Sequence, residues 1–360
     1  MNHKKFSIIK QERKIIRIKD IAEKAGVSIG TVDRVLHNRG EVSAVTKEKI
    51  LAIVNDLDYR PNFLASTLAS KKETVFAVLV PKAPSEDSYW TRPMSGITRS
   101  ADELAQFGVK LELFLFDTEG AASFTENTAK ILENPPAGVL LAPWISREAK
   151  SFTSRLDALE IPYVYIDSNL KGTNPVSFIG QNSFQSGHLA AKLLNYGLPE
   201  ERIFLLVHIG RELDNQNHLH QREQGFYDYF NEKSIQQNII KIEIQESETE
   251  LKQQMAAKGL SPEKVDCIYV TNSRVHLIAG YFASLNLHPR IVGYDLIPPN
   301  VKMLEKEAID FLLCQNPEEQ GYRALNALFD NVLRKQPVEK ENFTSIDIIT
   351  RENLQYYSAV

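Results

Sequence analysis

The chain has 360 residues, of which 43% are hydrophobic and 24% charged, and a net charge of -4. This length exceeds what one core usually supports, so two or three globular domains are expected. No stretch approaches the roughly 18 uninterrupted apolar residues of a membrane span and the N-terminus lacks an apolar signal core, so a cytoplasmic location is expected.

The net charge conceals an asymmetry: residues 1–72 carry 15 Lys and Arg against 8 Asp and Glu, a net +7, while the remainder carries -11. A basic head on an acidic body fits a polyanionic partner at one end only. Within that head, IRIKDIAEKAGV, IGTVDRVLHN and VTKEKILAIVNDLDY place apolar residues at helical spacing and predict three short helices. Gly26 supplies the positive-φ residue of the turn between the first two. Ile21, Ala22 and Ala25 before the turn and Val27, Val32 and Val35 beyond it would close a small core, which makes a helix-turn-helix. Ser28 is a good N-cap whose hydroxyl can also meet a phosphate. Ile29, Gly30, Asp33, Arg34 and His37 fall on the outer face of the second helix, where a major groove would be read. A plain helical hairpin would give the same apolar pattern. Pro61 stops the third helix, and Asn62 can cap a short segment, FLASTLAS, before Lys71 and Lys72.

From Thr74 onward apolar strands alternate with amphipathic helical patterns. The strand candidates are VFAVLVP, VKLELFLF, AGVLLAP, IPYVYID, VSFIGQ, RIFLLVHI, NIIKIEI, VDCIYVT, RIVGYD and IDFLLCQ, with SIDIIT near the C-terminus. Strands apolar on both faces and separated by helices predict a parallel, doubly wound α/β fold; they are too many for one small sheet, so two subdomains with a cleft between them are expected. No internal sequence repeat is apparent. Cys267 and Cys314 sit inside apolar runs and are expected as buried thiols.

The stretch RIKDIAEKAGVSIGTVDRVLHNRGEVSAVTKEKILAIVNDLDYRPNFLASTLAS resembles, along its length, the DNA-binding head of the lactose-repressor (LacI) family of bacterial transcription regulators. The match includes D-I-A-x-x-A-G-V-S, T-V-x-R-V-L, V-S-x-x-T and Y-x-P-N-x-x-A-x-x-L. The resemblance implies base contacts from Ile29, Gly30 and Arg34, with Arg34 forking onto a guanine, and phosphate contacts from Ser28 and Thr31. It also makes Phe63 to Ser70 a hinge helix, with Asn62 and Ala65 at the DNA and Leu68 as a wedge in the minor groove. Two positions depart from the pattern. Asp33 stands where a small Ser or Thr is common, which bears on the operator sequence. Arg17 stands where a capping Thr is usual; it cannot accept an amide hydrogen bond and trades capping for phosphate attraction. The implied domains are 15–61 for the helix-turn-helix, 62–73 for hinge and linker, and 74–360 for an effector domain. Its N-subdomain spans about 74–182 and 316–342, its C-subdomain about 183–315 and 343–360.

That effector domain is similar to periplasmic sugar-binding proteins. QREQGFYDYF matches the family's R-x-x-G-F/Y, which implies Arg222 at the effector and Gly225 at a close helix packing. Asp295 after IVGY matches a family carboxylate for effector hydroxyls, and Gln315 matches a crossover between subdomains. Apart from the resemblance, Asp167, Asn272 and Asp295 all follow predicted strands, and ligands of α/β sheets sit beyond the carboxyl ends of strands. Each alone is as readily a loop cap. Tyr89, Trp90 and Trp144 also follow strands, and an aromatic face with polar groups at its rim suits a pyranose or furanose; core packing is the alternative for each tryptophan.

An α/β body of this size also suits an enzyme, but no two of the 17 glycines are two apart, which removes G-x-G-x-x-G. G-x-x-x-x-G-K-[ST] and G-x-S-x-G are also missing. Around His188, His218 and His220 no carboxylate or thiol completes a metal-ligand spacing, so they are expected as solvated loop histidines, with no metal and no cofactor. A sugar-binding protein for transport would want an export signal and no basic head. The sequence therefore reads as a non-enzymatic transcriptional regulator, most simply a repressor. Its expected partners are operator DNA, a small sugar or sugar derivative, and a second copy of itself as a homodimer, with a tetramer open and no membrane.

Overall fold

Ile21, Ala22 and Ala25 of one helix, Val32 and Val35 of the next and Ile50 of a third are all buried in one small core. They belong to α1 (Ile18–Ala25), α2 (Ile29–Leu36) and α3 (Ala44–Asp56) in a computed structural model that describes residues 16–36, 40–57, 73–86, 88–197, 202–210 and 217–357. The chain divides into two compact units, residues 1–71 and 72–360. His37, Asn62, Ala65, Leu68 and the expected hinge helix lie outside the described residues.

In the first unit α1 stops at Gly26, whose φ of 69° is left-handed. The N–H groups of Gly26 and Val27 then donate back to the carbonyls of Glu23 and Ala22. At its start, Asp20 accepts the Arg17 backbone N–H at 2.7 Å, so the third helical residue makes its own half of a capping box, the half that does not depend on the N-cap side chain. α3 is capped by Ser43, whose hydroxyl accepts the Thr46 N–H at 3.3 Å.

The second unit contains, among the described residues, twelve strands. They are β1 (Thr74–Pro81), β2 (Val109–Phe116), β3 (Gly138–Leu141), β4 (Tyr163–Asp167), β5 (Ser177–Gln181), β6 (Ile203–Ile209), β7 (Asn238–Ile244), β8 (Cys267–Val270), β9 (Arg290–Tyr294), β10 (Phe311–Cys314), β11 (Glu341–Thr344) and β12 (Asp347–Ile349). They form two six-stranded sheets, in the orders β2-β1-β3-β4-β5-β11 and β7-β6-β8-β9-β10-β12. Every pairing is parallel except β10 with β12. The expected parallel architecture is thus present, with one antiparallel edge where the chain returns to the second sheet after only two residues from β11. β11 has no counterpart among the predicted strands, because ENFT holds a single apolar residue and pairs along one side only.

The helices are α4 (Thr91–Leu104), α5 (Ala122–Glu133), α6 (Ser146–Ala158), α7 (Ser183–Asn195), α8 (Asn217–Glu232), α9 (Glu248–Ala257), α10 (Val275–Ser284), α11 (Pro298–Glu305) and α12 (Pro317–Val332). Central strands are buried on both faces; Phe76 to Val80 of β1 and Cys267 to Val270 of β8 are at most 1% exposed. Such strands need helices on both sides, which is why their sequences read as unbroken apolar runs. The chain changes sheet after β5, β10 and β11.

The two halves repeat each other in a way the sequence hides. In each, two helices cross so closely that their backbones touch at a pair of glycines. A Cβ on Gly96 would lie 1.9 Å from the Glu318 carbonyl oxygen and one on Gly321 2.1 Å from that of Pro93. In the other half a Cβ on Gly225 would lie 1.9 Å from the Phe184 carbonyl oxygen and one on Gly187 1.8 Å from that of Arg222. The α7–α8 crossing therefore clamps the backbone of Arg222. Gly225→Ala is expected to force the helices apart, at a cost of about 1–3 kcal/mol in urea unfolding. Unchanged stability would show that the crossing yields freely.

Candidate functional site

On α2, Ile29, Gly30 and Arg34 are exposed, Ile29 to 53%, while Thr31 and Asp33 are half-buried. The Ser28 hydroxyl accepts the Thr31 N–H at 3.1 Å and pairs with the Thr31 hydroxyl at 2.9 Å, so two hydroxyls stand together at the N-terminal end of the helix. Aligned peptide dipoles make that end partly positive, and its first N–H groups have no partner within the helix, an arrangement that suits phosphate. Arg17 is exposed at the start of α1.

In the second unit a cavity of about 730 Å³ is lined by residues that follow the carboxyl ends of β1 to β4 in one sheet and β6 to β10 in the other. Tyr89, Trp90, Trp144, Asp167, Arg222, Asn272, Asp295 and Gln315 all line it. Residues as far apart in sequence as Tyr89 and Gln315 are thus brought to one place. Each comes from a strand end or the helix that follows one, the position where parallel sheets leave a crevice.

Arg222, 2% exposed, organises the floor. Its Nη1 donates to the Thr271 carbonyl at 2.6 Å, its Nη2 donates to Gln315 Oε1 at 2.7 Å, and its guanidinium lies 3.6 Å from the centre of the Tyr294 ring. Gln315 passes the contact on, since its Nε2 donates to both carboxylate oxygens of Asp295 at 3.0 Å. Gln315 also holds the crossover, because its carbonyl accepts from Gln320 Nε2 and the Thr344 hydroxyl. Across the cavity the Tyr89 hydroxyl donates to Asp167 at 2.7 Å.

Asp167 and Asp295 close their strands with left-handed φ values of 71° and 68°. Aspartate tolerates this region, but it still costs on the order of 1 kcal/mol each. Both carboxyls are raised, Asp295 to about 7. Burial is the main cause at each. Arg222 opposes it at both, and the charge of Asp167 adds to the rise at Asp295. Burial, with repulsion from Arg222, holds His218 down to about 3, so its ring is neutral. Burial keeps the Cys267 and Cys314 thiols well above their usual range, at about 12 and 11, which makes them inert packing groups.

Several lining or supporting residues are absent from the sequence reading. His218 is a correction: it lies on α8 and lines the cavity rather than sitting in a solvated loop, and His220 is helical too, though exposed. Asn300 is fully buried; its Nδ2 donates to the carbonyls of Ser273, Tyr294 and Asp295 and so fixes the turn that carries Asp295. Neither has a local signal, since what matters is the neighbour across the fold. His188 is a correction too: it lies on α7 rather than in a loop, and carboxylates distant in sequence come beside it. Asp228 and Glu232, four apart on α8, come within 4.8 Å of it, and Glu232 lies 3.1 Å from its Nε2. The closest of these contacts is a hydrogen bond between His188 and Glu232 at the protein surface.

A helix-turn-helix unit and a two-sheet unit with a ligand-sized cleft together define a regulator built on the periplasmic binding protein fold. Residues 76–336 match the periplasmic binding protein domain, and residues 17–62 match the bacterial regulatory proteins of the lacI family. The chain belongs to the lacI family. It is 30% identical to a putative LacI transcriptional regulator from Bacteroides fragilis, with a TM-score of 0.72 over 79% of this chain and 100% of that one. It is 27% identical to the sucrose operon repressor of Lactococcus lactis subsp. lactis over 284 residues, 78% of this chain and 83% of that protein. It is 28% identical to the HTH-type transcriptional regulator DegA of Bacillus subtilis (strain 168) over 182 residues, 50% of this chain; the match spans about half of DegA, 52%. GanP, a glucose-galactose binding protein from Geobacillus stearothermophilus, shares the fold with a TM-score of 0.67 at 22% identity, over 79% of this chain and 99% of GanP. The first three are named as regulators rather than enzymes. Among the described residues no helix is long and apolar enough to cross a membrane.

Proposed function

We propose that this chain is a cytoplasmic repressor that binds operator DNA as a homodimer through α2 and is controlled by a small carbohydrate-like effector in the cleft. The observation that carries the reading is the convergence of eight polar and aromatic side chains from both halves on one cavity, in a chain that also holds an exposed recognition-type helix. Support for a carbohydrate comes from the aromatic residues Tyr89, Trp90 and Trp144 beside paired carboxylates, and from the name of the sucrose operon repressor. One head covers one half-site, so a dimer supplies two. Closing the cleft on a ligand changes operator affinity by linkage: the ligand shifts the protein only as far as it prefers one state over the other.

The test is fluorescence anisotropy of the full chain on DNA selected from random sequence, with and without candidate effectors. Arg34→Ala is expected to weaken the selected site by about 1–3 kcal/mol and to relax preference at one base pair, with little change on random DNA. An equal loss on random DNA would reassign Arg34 to phosphate, and no sequence preference in the parent protein would overturn the DNA-binding reading.

A further inference from the structure

The crossing that clamps the Arg222 backbone through Gly187 and Gly225 also brings His188 of α7 against α8, since the His188 backbone nitrogen would lie 3.0 Å from a Cβ on Gly225. Asp228 and Glu232 follow Gly225 by three and seven residues, so the helical period puts both on the face of α8 that this glycine presents to α7. A ring nitrogen of His188 and one oxygen from each carboxylate all lie within 4.8 Å of one another. The closest pair, His188 Nε2 and Glu232 Oε2, is 3.1 Å apart.

The cluster lacks a balancing charge. Like charges four apart on a helix repel, and no lysine or arginine among the described residues forms an ion pair with Asp228 or Glu232. Lys233, next in the chain, lies instead 5.7 Å from the centre of the Tyr229 ring. The histidine is the ordered member. Its side chain is 20% exposed, and its ring meets that of Tyr229 nearly at right angles, with centres 5.2 Å apart. A ring so held loses little freedom on taking an ion, while the two exposed carboxylates can turn toward it.

Donor atoms around a first-row ion, at bonds of about 2.0–2.2 Å, sit about 3.0–3.5 Å from one another. Glu232 already stands at that distance from His188, and rotation of the exposed Asp228 side chain closes the remaining gap. Ligation replaces the hydrogen bond to Glu232, because Nε2 then offers its lone pair. One imidazole nitrogen with two carboxylate oxygens suits Zn2+ and its neighbours; Mg2+ and Ca2+ take oxygen ligands, and the nitrogen selects against them.

We infer that His188, Asp228 and Glu232 form a site for a divalent transition-metal ion, with water in its remaining positions, and that the ion staples α7 to α8 beside the crossing that holds Arg222. The site is independent of the DNA and effector readings.

The test is isothermal titration of the untagged, chelator-treated full chain with ZnCl2 at pH 7.5, alongside MgCl2 and the variants His188→Gln, Asp228→Asn and Glu232→Gln. Each substitution removes a ligating group while keeping most of the side chain's volume, and circular dichroism of the metal-free proteins checks the fold. The expected result is one strong equivalent of Zn2+ in the parent. Its affinity is expected to be about tenfold or more weaker in each variant, and that of Mg2+ for the parent weaker by a similar factor. Saturating Zn2+ is also expected to raise the parent's melting temperature by about 2 °C or more and to leave that of His188→Gln unmoved. Absence of Zn2+ binding would overturn the site, as would equal Zn2+ affinity in all four proteins, which would place the ion elsewhere. Mg2+ binding as tight as Zn2+, and unchanged in His188→Gln, would reduce the cluster to two carboxylates that attract any dication. Binding lost in the variants but without effect on the parent's melting temperature would overturn the staple.

Discussion

Arg222→Met is expected to destabilise the second unit by about 3–5 kcal/mol in urea unfolding and to abolish the response of operator binding to effector. Methionine fills much of the same volume, so the loss is electrostatic rather than a cavity. It leaves the Thr271 carbonyl and Gln315 Oε1 without their donor, and it strips Asp295 and Asp167 of the charge that opposes their burial. The second variant of a double-mutant cycle separates these causes. Asp295→Asn in the Arg222→Met background removes the uncompensated carboxylate, so the double variant is expected to recover part of the lost stability without recovering the effector response. A single variant within about 1 kcal/mol of the parent would show that the guanidinium is incidental to this floor, since truncating a buried charge pair normally costs several times that. Binding to DNA without effector is expected to persist, since the core of the helix-turn-helix is formed from its own three helices.

The sequence foretells this floor unevenly, for a physical reason. Asp167, Asn272 and Asp295 are legible because a parallel strand announces itself as an apolar run, and a polar residue at its carboxyl end has few places to go but the crevice. The pairing of Tyr89 with Asp167 is not legible, since it joins residues 78 positions apart whose relation is fixed only when two strand ends meet. The sequence does not place His218 at the cleft because residues 211–216, just before its helix, carry polar loop composition, while that helix takes its period from Leu219, Phe226 and Phe230 further on. Asp228 and Glu232 meet His188 only through the α7–α8 crossing, which the chain encodes as two lone glycines. The repeat of the two halves escaped for the same reason: what repeats is the space between backbones, and any sequence with glycine at the contacts supplies it. Chain order, strand identity and the fold of the head were legible because each rests on short-range periodicity.

The pH dependence of Asp295 offers the sharper test of the cleft. Its carboxyl is raised from 3.8 to about 7, chiefly by burial, with the Asp167 charge adding and Arg222, Gln315 and Arg92 opposing. The sign follows from linkage. Between those two values the folded chain holds a proton that the unfolded chain has released, so stability attributable to this group is greatest at low pH and declines as pH rises from about 4 through 7. Asp295→Asn keeps the shape and removes the titration. The variant is therefore expected to gain on the parent by about 2–3 kcal/mol between pH 5 and 7.5, each full proton being about 1.4 kcal/mol per pH unit. His218 is neutral in the folded chain throughout this range but takes up a proton in the unfolded chain below about 6.5, which gives a slope of the opposite sign; it is common to both proteins and cancels in the difference, while Arg222, charged in both states, contributes none. Asp167 titrates in the same direction in both proteins and largely cancels in the difference. For the ligand the sign reverses: a hydroxyl that donates to Asp295 needs the ionised carboxylate, so effector affinity in the parent is expected to fall as pH drops below about 7 and to stay flat in the variant. Parallel stability curves for the two proteins, together with an affinity that ignores pH, would show that Asp295 is solvated like a surface aspartate and holds no ligand.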